Sequence, residues 1–196
     1  AADWLYGEFL LKYDNLKISL TEGGVGWVPY FLERAEFTLD HHGPWTKSNF
    51  GGKRPTELFR EHFLTCFIED ESGLRNRDLV GIENILFECD YPHSDSTWPM
   101  TPENTFRQLD NVGLSDEEIN QVTHLNAIKN FIFDPIAILG RENCTVGALR
   151  EQARQAGIDT REKSGGGNSA KITDRSGRMT SGEVQKLFAG EGATAD

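Results

Sequence analysis

Short apolar runs of strand length alternate along this chain with segments of helical periodicity, and no other feature constrains its fold as strongly. Leu16 to Thr21 alternates apolar and polar residues as a half-buried strand does, while Phe63 to Ile68 and Ile85 to Cys89 are short apolar runs of the same length. Between the first two, Val28, Phe31, Leu32, Ala35 and Leu39 recur at helical spacing from Trp27 to His42, behind the glycine-rich turn Glu22-Gly23-Gly24-Val25-Gly26. Strands that each feed a helix or a loop predict an α/β architecture with a parallel sheet.

The remaining segments fit around that pattern. Phe9, Leu10, Tyr13 and Leu16 suggest a short amphipathic helix, and Ala1 to Gly7 reads as the middle of a helical stretch, the pattern of a truncated left edge. His41 to Pro55 is expected as a loop, Pro55 to Glu61 as a short helix, Ser72 to Leu79 as another, and Tyr91 to Pro102 as a second loop. Ser115 and Glu118 have capping-box spacing and open a helix expected from Asp116 to Ile132. Past Gly157 the composition turns to Lys, Arg, Ser and Gly. Residues 1–157 are therefore read as the folded part, and residues 158–196 as a mostly disordered tail with a weak helix at Ser181 to Phe188.

Charge and cysteine content narrow the functional classes. The 196 residues carry 20 Lys and Arg against 31 Asp and Glu, a net charge of −11, which argues against nucleic acid as a partner. A hydrophobic fraction of 37% rules out disorder throughout, yet the apolar clusters fall far short of the ~20 residues that cross a bilayer. No membrane partner and no export signal are expected. Cys66, Cys89 and Cys144 form neither an even disulfide set nor a CxxC pair, so a reducing cytoplasm is the plain reading.

Parallel sheets present the residues after each strand to a common crevice, and here these are Glu22, then Glu69 with Asp70, then Asp90. Asp90 leaves its strand beside Tyr91, Pro92 and His93, with Asp95 close by, where a carboxylate can bind a divalent metal or act as a general base. The spacing equally allows Asp90 as a turn cap and His93 as a solvent-exposed loop residue. Adjacent His41 and His42 point about 100° apart on a helix and read as surface residues at a helix end; His62 and His124 read as packing or capping residues. Cys66 and Cys89 lie within apolar strands as small hydrophobes. The Glu22-to-Gly26 turn lacks a complete phosphate-loop pattern and leads with a carboxylate, which excludes a nucleotide site.

Two stretches, Leu16-Lys17-Ile18-Ser19-Leu20-Thr21-Glu22-Gly23-Gly24-Val25-Gly26-Trp27-Val28-Pro29 and Glu88-Cys89-Asp90-Tyr91-Pro92-His93-Ser94-Asp95, resemble the amidohydrolase-related family of metal-dependent hydrolases, which includes aminocarboxymuconate-semialdehyde decarboxylase-like proteins. The resemblance runs from residue 1 to about residue 150 and includes the late helix at Asn126-Ala127. It implies part of a TIM-type (β/α)8 barrel, the last three strands with the closing helices, and leaves the family's first five strands without counterparts. In that family a metal, commonly zinc, is held by an HxH pair, a further His and an Asp of the eighth strand; Asp90 matches that Asp. A sixth-strand His that assists catalysis is matched in position by Glu22.

The resemblance thus implies a metal-dependent hydrolase of a small organic substrate, with a divalent cation, zinc foremost, on Asp90. Glu22 is expected to share the catalytic work, and His93, Trp27 and Tyr91 to contact substrate. Non-oxidative decarboxylation of a small aromatic or muconate-type acid is the alternative reaction, and an inactive fragment or interaction module the alternative class. Three strands of an eight-stranded barrel leave two open sheet edges, so low stability or self-association, with a possible homodimer, is expected of the chain alone.

Overall fold

The computed structural model describes residues 1–93 and 95–158. The expected tail after Ile158, with its helix at Ser181 to Phe188, lies outside the described residues.

Three strands, β1 (Ile18–Leu20), β2 (Phe63–Phe67) and β3 (Ile85–Phe87), form one parallel sheet in the order β1-β2-β3. Its register pairs Ser19 with Leu64 and Cys66 with Leu86. The central strand is buried along its whole length, whereas β1 shows the alternation its sequence promised. Because side chains alternate across a pleated sheet, the strands divide into two sets. Phe63, Phe67 and Ile85 enter the main core with Leu5, Val28, Leu32, Leu58, Phe59, Leu74 and Leu109. The alternates Leu64, Cys66 and Leu86 form a separate small cluster, packed by Ala127.

Helices cover the sheet on the side of the main core. α1 (Ala2–Tyr6) and α2 (Phe9–Lys12) precede β1; α3 (Val28–Thr46) and α4 (Pro55–His62) make the first crossover. α5 (Glu71–Arg75) and α6 (Arg77–Val80) make the second, and α7 (Thr101–Asn111) follows β3. The helix expected over Ser72 to Leu79 is thus two short ones: Asn76 interrupts it, its side chain bonding back to the Ser72 carbonyl (2.9 Å). The loop expected from His41 begins only at Lys47, because α3 continues through Pro44 for a last turn and ends where Lys47 adopts φ 56° and donates to the Gly43 carbonyl. α7 was expected to be loop in its first residues and carries no expectation beyond them. Only Phe106 and Leu109 mark its periodicity. Its inward face is partly polar, with Gln108 donating to the Ile68 carbonyl (2.7 Å) and accepting from the Asp70 N–H (3.1 Å).

The capping box at Ser115 and Glu118 forms as expected and opens α8 (Asp116–Asn120), which runs through a wider π-type turn (Gln121–Leu125) into α9 (Asn126–Phe131). Buried Asn126 ties that helix to the sheet by donating to the carbonyls of Ile82 and Ile85, both at 2.8 Å. α10 (Pro135–Leu139) and α11 (Val146–Gln155) complete the described chain. No helix among the described residues is long and apolar enough to cross a membrane.

Arg77 grips the Glu118 carboxylate through Nε (2.7 Å) and Nη2 (3.2 Å), joining α6 to α8. The guanidinium holds the Glu118 carboxyl below its ordinary pKa. A depressed folded-state pKa contributes stability that is complete above the unfolded value, about 4.3, and is lost as pH falls through the lower folded value. Glu118→Gln is expected to lower stability by about 1 kcal/mol at neutral pH and to make the urea midpoint less sensitive to acid within that window. Urea titrations of both proteins across that range check this; parallel pH profiles would remove the pair from the account.

Candidate active site

Each strand leaves the sheet at the same end, and the carboxylates that follow gather there. Glu22, Gly24, Ile68, Glu69 and Asp95 line a small cavity of about 190 Å³. Two backbones turn sharply at these strand ends: Glu22 has φ 63° and Asp90 φ 52°. This left-handed region is costly for residues with a Cβ, less so for Asp, and such strain concentrates at functional sites.

Glu22 is bridged to the far strand. Its N–H donates to Glu88 Oε1 at 2.7 Å. Burial pushes the Glu88 carboxyl above its ordinary pKa, and the neighbouring Glu22, Asp90 and Asp95 push it further. Sequence reasoning missed Glu88 as a site residue. The available signal was parity, since Glu88 stands two after Leu86 and so shares the sheet face of Cys66.

Asp90, His93 and Asp95 offer ligand atoms all within 4.8 Å of one another. His93 Nδ1 hydrogen-bonds to Asp95 Oδ1 at 2.6 Å and lies 2.9 Å from Asp90 Oδ2. Asp95 thereby raises the His93 pKa, helped by the Asp90 charge, and its own pKa is lowered by the same bond. The two contacts share one ring nitrogen, and the hydrogen-bond geometry pairs it with Asp95. Asp90 Oδ2 remains buried with no hydrogen bond.

An unbonded buried carboxylate oxygen among other acids is an unfavourable arrangement in a protein and a favourable one beside a divalent cation. Asp90 therefore fits the metal-ligand role, with His93 and Asp95 within reach. A catalytic zinc usually takes three protein ligands, and Asp90, His93 and Asp95 are three candidate donors among the described residues.

The other expected contacts stand apart from the cavity. Trp27 braces the glycine turn, its Nε1 donating to the Gly24 carbonyl (3.0 Å) and its ring packing on Phe31. Tyr91 is 60% exposed and packs against Trp98. Neither lines the carboxylate cavity. Asp70, grouped by sequence with Glu69, turns the other way: one oxygen accepts from the N–H groups of Val25 (2.6 Å) and Gly26 (2.7 Å), the other from Gly73 (2.7 Å). It is a backbone staple that fixes the glycine turn to the start of α5. His62 is buried against the Leu16 carbonyl (2.7 Å), as its packing role required. Cys66 is buried, and burial pushes its thiol up, away from nucleophilic use. A larger cavity, about 610 Å³, lies away from these carboxylates, among Phe87, α7, α9 and the C-terminal helices, with a mostly apolar lining that includes His124.

A parallel sheet flanked by helices, with carboxylates at its strand ends, defines an α/β scaffold. The family model described as Amidohydrolase matches residues 1–133, and the chain belongs to that family. Solved structures with the same fold include 5-carboxyvanillate decarboxylase LigW from Sphingomonas paucimobilis, at 21% identity and TM-score 0.53, covering 66% of this chain and 38% of that one. Amidohydrolase map2389c from Mycobacterium avium subsp. paratuberculosis K-10 is similar at 21% identity and TM-score 0.55, covering 66% and 31%. These neighbours are TIM barrels, and the chain spans about a third of their length. No curated protein sequence matches it.

Proposed function

We propose that this chain supplies the carboxylate side of a metal-dependent amidohydrolase site that hydrolyses a small neutral or cationic organic substrate. The buried, unbonded Oδ2 of Asp90 carries this reading, because it is a preformed position for one bond to a divalent cation, zinc foremost. A divalent cation bound there supplies Lewis acidity, polarising a carbonyl and lowering the pKa of water. The chain's own groups handle protons. Glu88, whose carboxyl keeps its proton to higher pH than usual, is suited to donate, and Glu22 to accept. His93, held between Asp90 and Asp95, offers an imidazole beside that wall.

The acidity of the cavity supports the hydrolytic reading. Glu22, Glu69 and Asp95 line it, and a carboxylic acid substrate entering beside them meets like charge. A neutral amide, ester or lactone does not. The runner-up is decarboxylation, the reaction named for the Sphingomonas relative. Product analysis separates them: hydrolysis consumes water across the scissile bond without releasing CO2, and CO2 evolution from an acid panel would overturn the hydrolytic reading. Glu22→Gln is expected to retain metal while lowering kcat by roughly 100- to 10,000-fold, the contribution of a positioned acid or base. Unchanged kcat in that variant would free Glu22 from any catalytic role.

A further inference from the structure

Two cavities beside α7 take no part in the carboxylate crevice. The larger, about 610 Å³, lies among Phe87, α7, α9, α10 and α11. A second, about 360 Å³, lies between Trp98, Pro99 and Ala153 of α11 and reaches Ile158. Thr101, Pro102, Val146 and Leu149 line both, so the two adjoin as one trough between α7 and α11. Phe87 stands on its wall, whereas Glu88, the next residue, bonds to Glu22 in the crevice. Successive residues of an extended strand point to opposite faces, which separates the trough from the crevice.

The chemistry of the trough is the reverse of the crevice's. In a chain of net charge −11, neither cavity is lined by an Asp or a Glu. The walls are largely aliphatic, with Ile119, Ile128, Ile136, Val146 and Leu149 among them, and Arg141 and His124 stand at the larger end. Gly140, at φ 83°, ends α10 and turns the chain into Arg141. Arg54, Arg75, Arg77 and Arg150 each hold a carboxylate, and Arg141 has none among the described residues. Burial, and after it the Arg141 charge, lowers the His124 pKa, so the imidazole is neutral near pH 7 and Arg141 is the cation of the pair. The Asp134 carboxylate near them is already engaged, one oxygen accepting from the N–H groups of Ile136 (2.9 Å) and Ala137 (3.0 Å). Arg150 on α11 clasps the Glu103 carboxylate on α7 through bonds of 2.6 and 2.8 Å, which ties the two walls together.

We propose that this trough binds a straight-chain fatty acid, its carboxylate on the Arg141 guanidinium and its alkyl chain along the wall of α7 and α11. Small-molecule sites are concave, about 300 to 1,000 Å³, and mostly apolar with a few polar groups that fix orientation, and the larger cavity has that size and make-up. Two cavities adjoining through four shared residues suit a flexible linear chain better than a compact ring. A guanidinium at the end of an apolar wall suits a carboxylate, which it can bind through two parallel hydrogen bonds. The same acid would meet Glu22, Glu69 and Asp95 in the crevice, where like charge repels it. Such binding requires neither a metal on Asp90 nor a reaction beside it.

Isothermal titration calorimetry of the full 196-residue chain tests this with hexanoate, octanoate and decanoate, each below its critical micelle concentration, beside 1-octanol and octylammonium. One acid is expected to bind per chain, roughly three- to fourfold tighter for each added methylene. Octanol and octylammonium are expected to bind about tenfold more weakly than octanoate, for want of the charge-assisted bond to Arg141. Arg141→Gln is expected to lower octanoate affinity by about the same factor and to leave octanol unchanged. Leu149→Glu sets a carboxylate where the two cavities meet and is expected to weaken decanoate binding by roughly tenfold or more. Both positions are exposed, and unchanged far-UV circular dichroism confirms the fold. No saturable binding at millimolar acid overturns the proposal. So does octanol binding as tightly as octanoate, an Arg141→Gln variant with undiminished octanoate affinity, or decanoate binding indifferent to Leu149→Glu, which would place the acid elsewhere on the chain.

Discussion

Asp90→Asn is expected to cut divalent-metal content after dialysis to background and to lower kcat/KM by more than about a hundredfold. Supporting residues around a metal already cost 10- to 100-fold when removed, and Asp90 is assigned to the metal directly. The substitution keeps the shape of the side chain and removes its charge. Asn also tolerates the left-handed backbone that Asp90 adopts at φ 52°, so the urea midpoint is expected to stay close to wild type. Elemental analysis of the two proteins, run beside unfolding curves, separates a lost ligand from a lost fold. Metal retained by Asp90→Asn would remove Asp90 from the ligand set. A wild-type chain without metal would instead assign the full site to a longer barrel, or leave this one an inactive module.

The largest loss of stability is expected at Asp70. Its carboxylate satisfies three backbone N–H groups from two segments far apart in sequence, at 2.6 to 2.7 Å. Asp70→Ala would leave these donors without a partner and loosen the Glu22-to-Gly26 turn, costing about 3 kcal/mol or more of a typical total of 5 to 15. Gly73→Ala attacks the same junction sterically. A Cβ there would collide with the Val25 side chain and come within 2.6 Å of the Gly26 nitrogen. Both variants are expected to shift the urea midpoint in the same direction, and their combination to cost less than the sum, because each breaks the same contact. Full additivity in a double-mutant cycle would contradict a single shared junction.

The sheet was legible in the sequence because its signal is local. Three apolar runs of strand length, separated by helical periodicity, are enough to place β1, β2 and β3 within two residues at their starts. α7 was not, because Thr105 and Gln108 take buried positions that an apolar pattern would have marked. The end of α3 was misread for a related reason. Proline is a breaker in mid-helix, whereas near the last turn it forfeits little. At the site, Glu22 and Asp90 were legible as strand ends, and their meeting with Glu88 and Asp95 depends on register across strands, which composition does not encode. Asp70 was grouped with the acids of the crevice because it follows Glu69 directly after the second strand. Only the fold shows that the glycine turn comes close enough to draw Asp70 away.

That diversion sets the mechanics of the crevice. With Asp70 clasping the Val25 and Gly26 amides, the segment bearing Glu22 and the segment bearing Glu69 are joined into one stiff jaw. The opposing jaw, from Asp90 to Asp95, is anchored through side-chain and turn contacts of its own. A substrate admitted to the proposed site would meet the glycine turn as a surface held by three amide contacts, so changes to that turn are expected to cost stability before they alter selectivity.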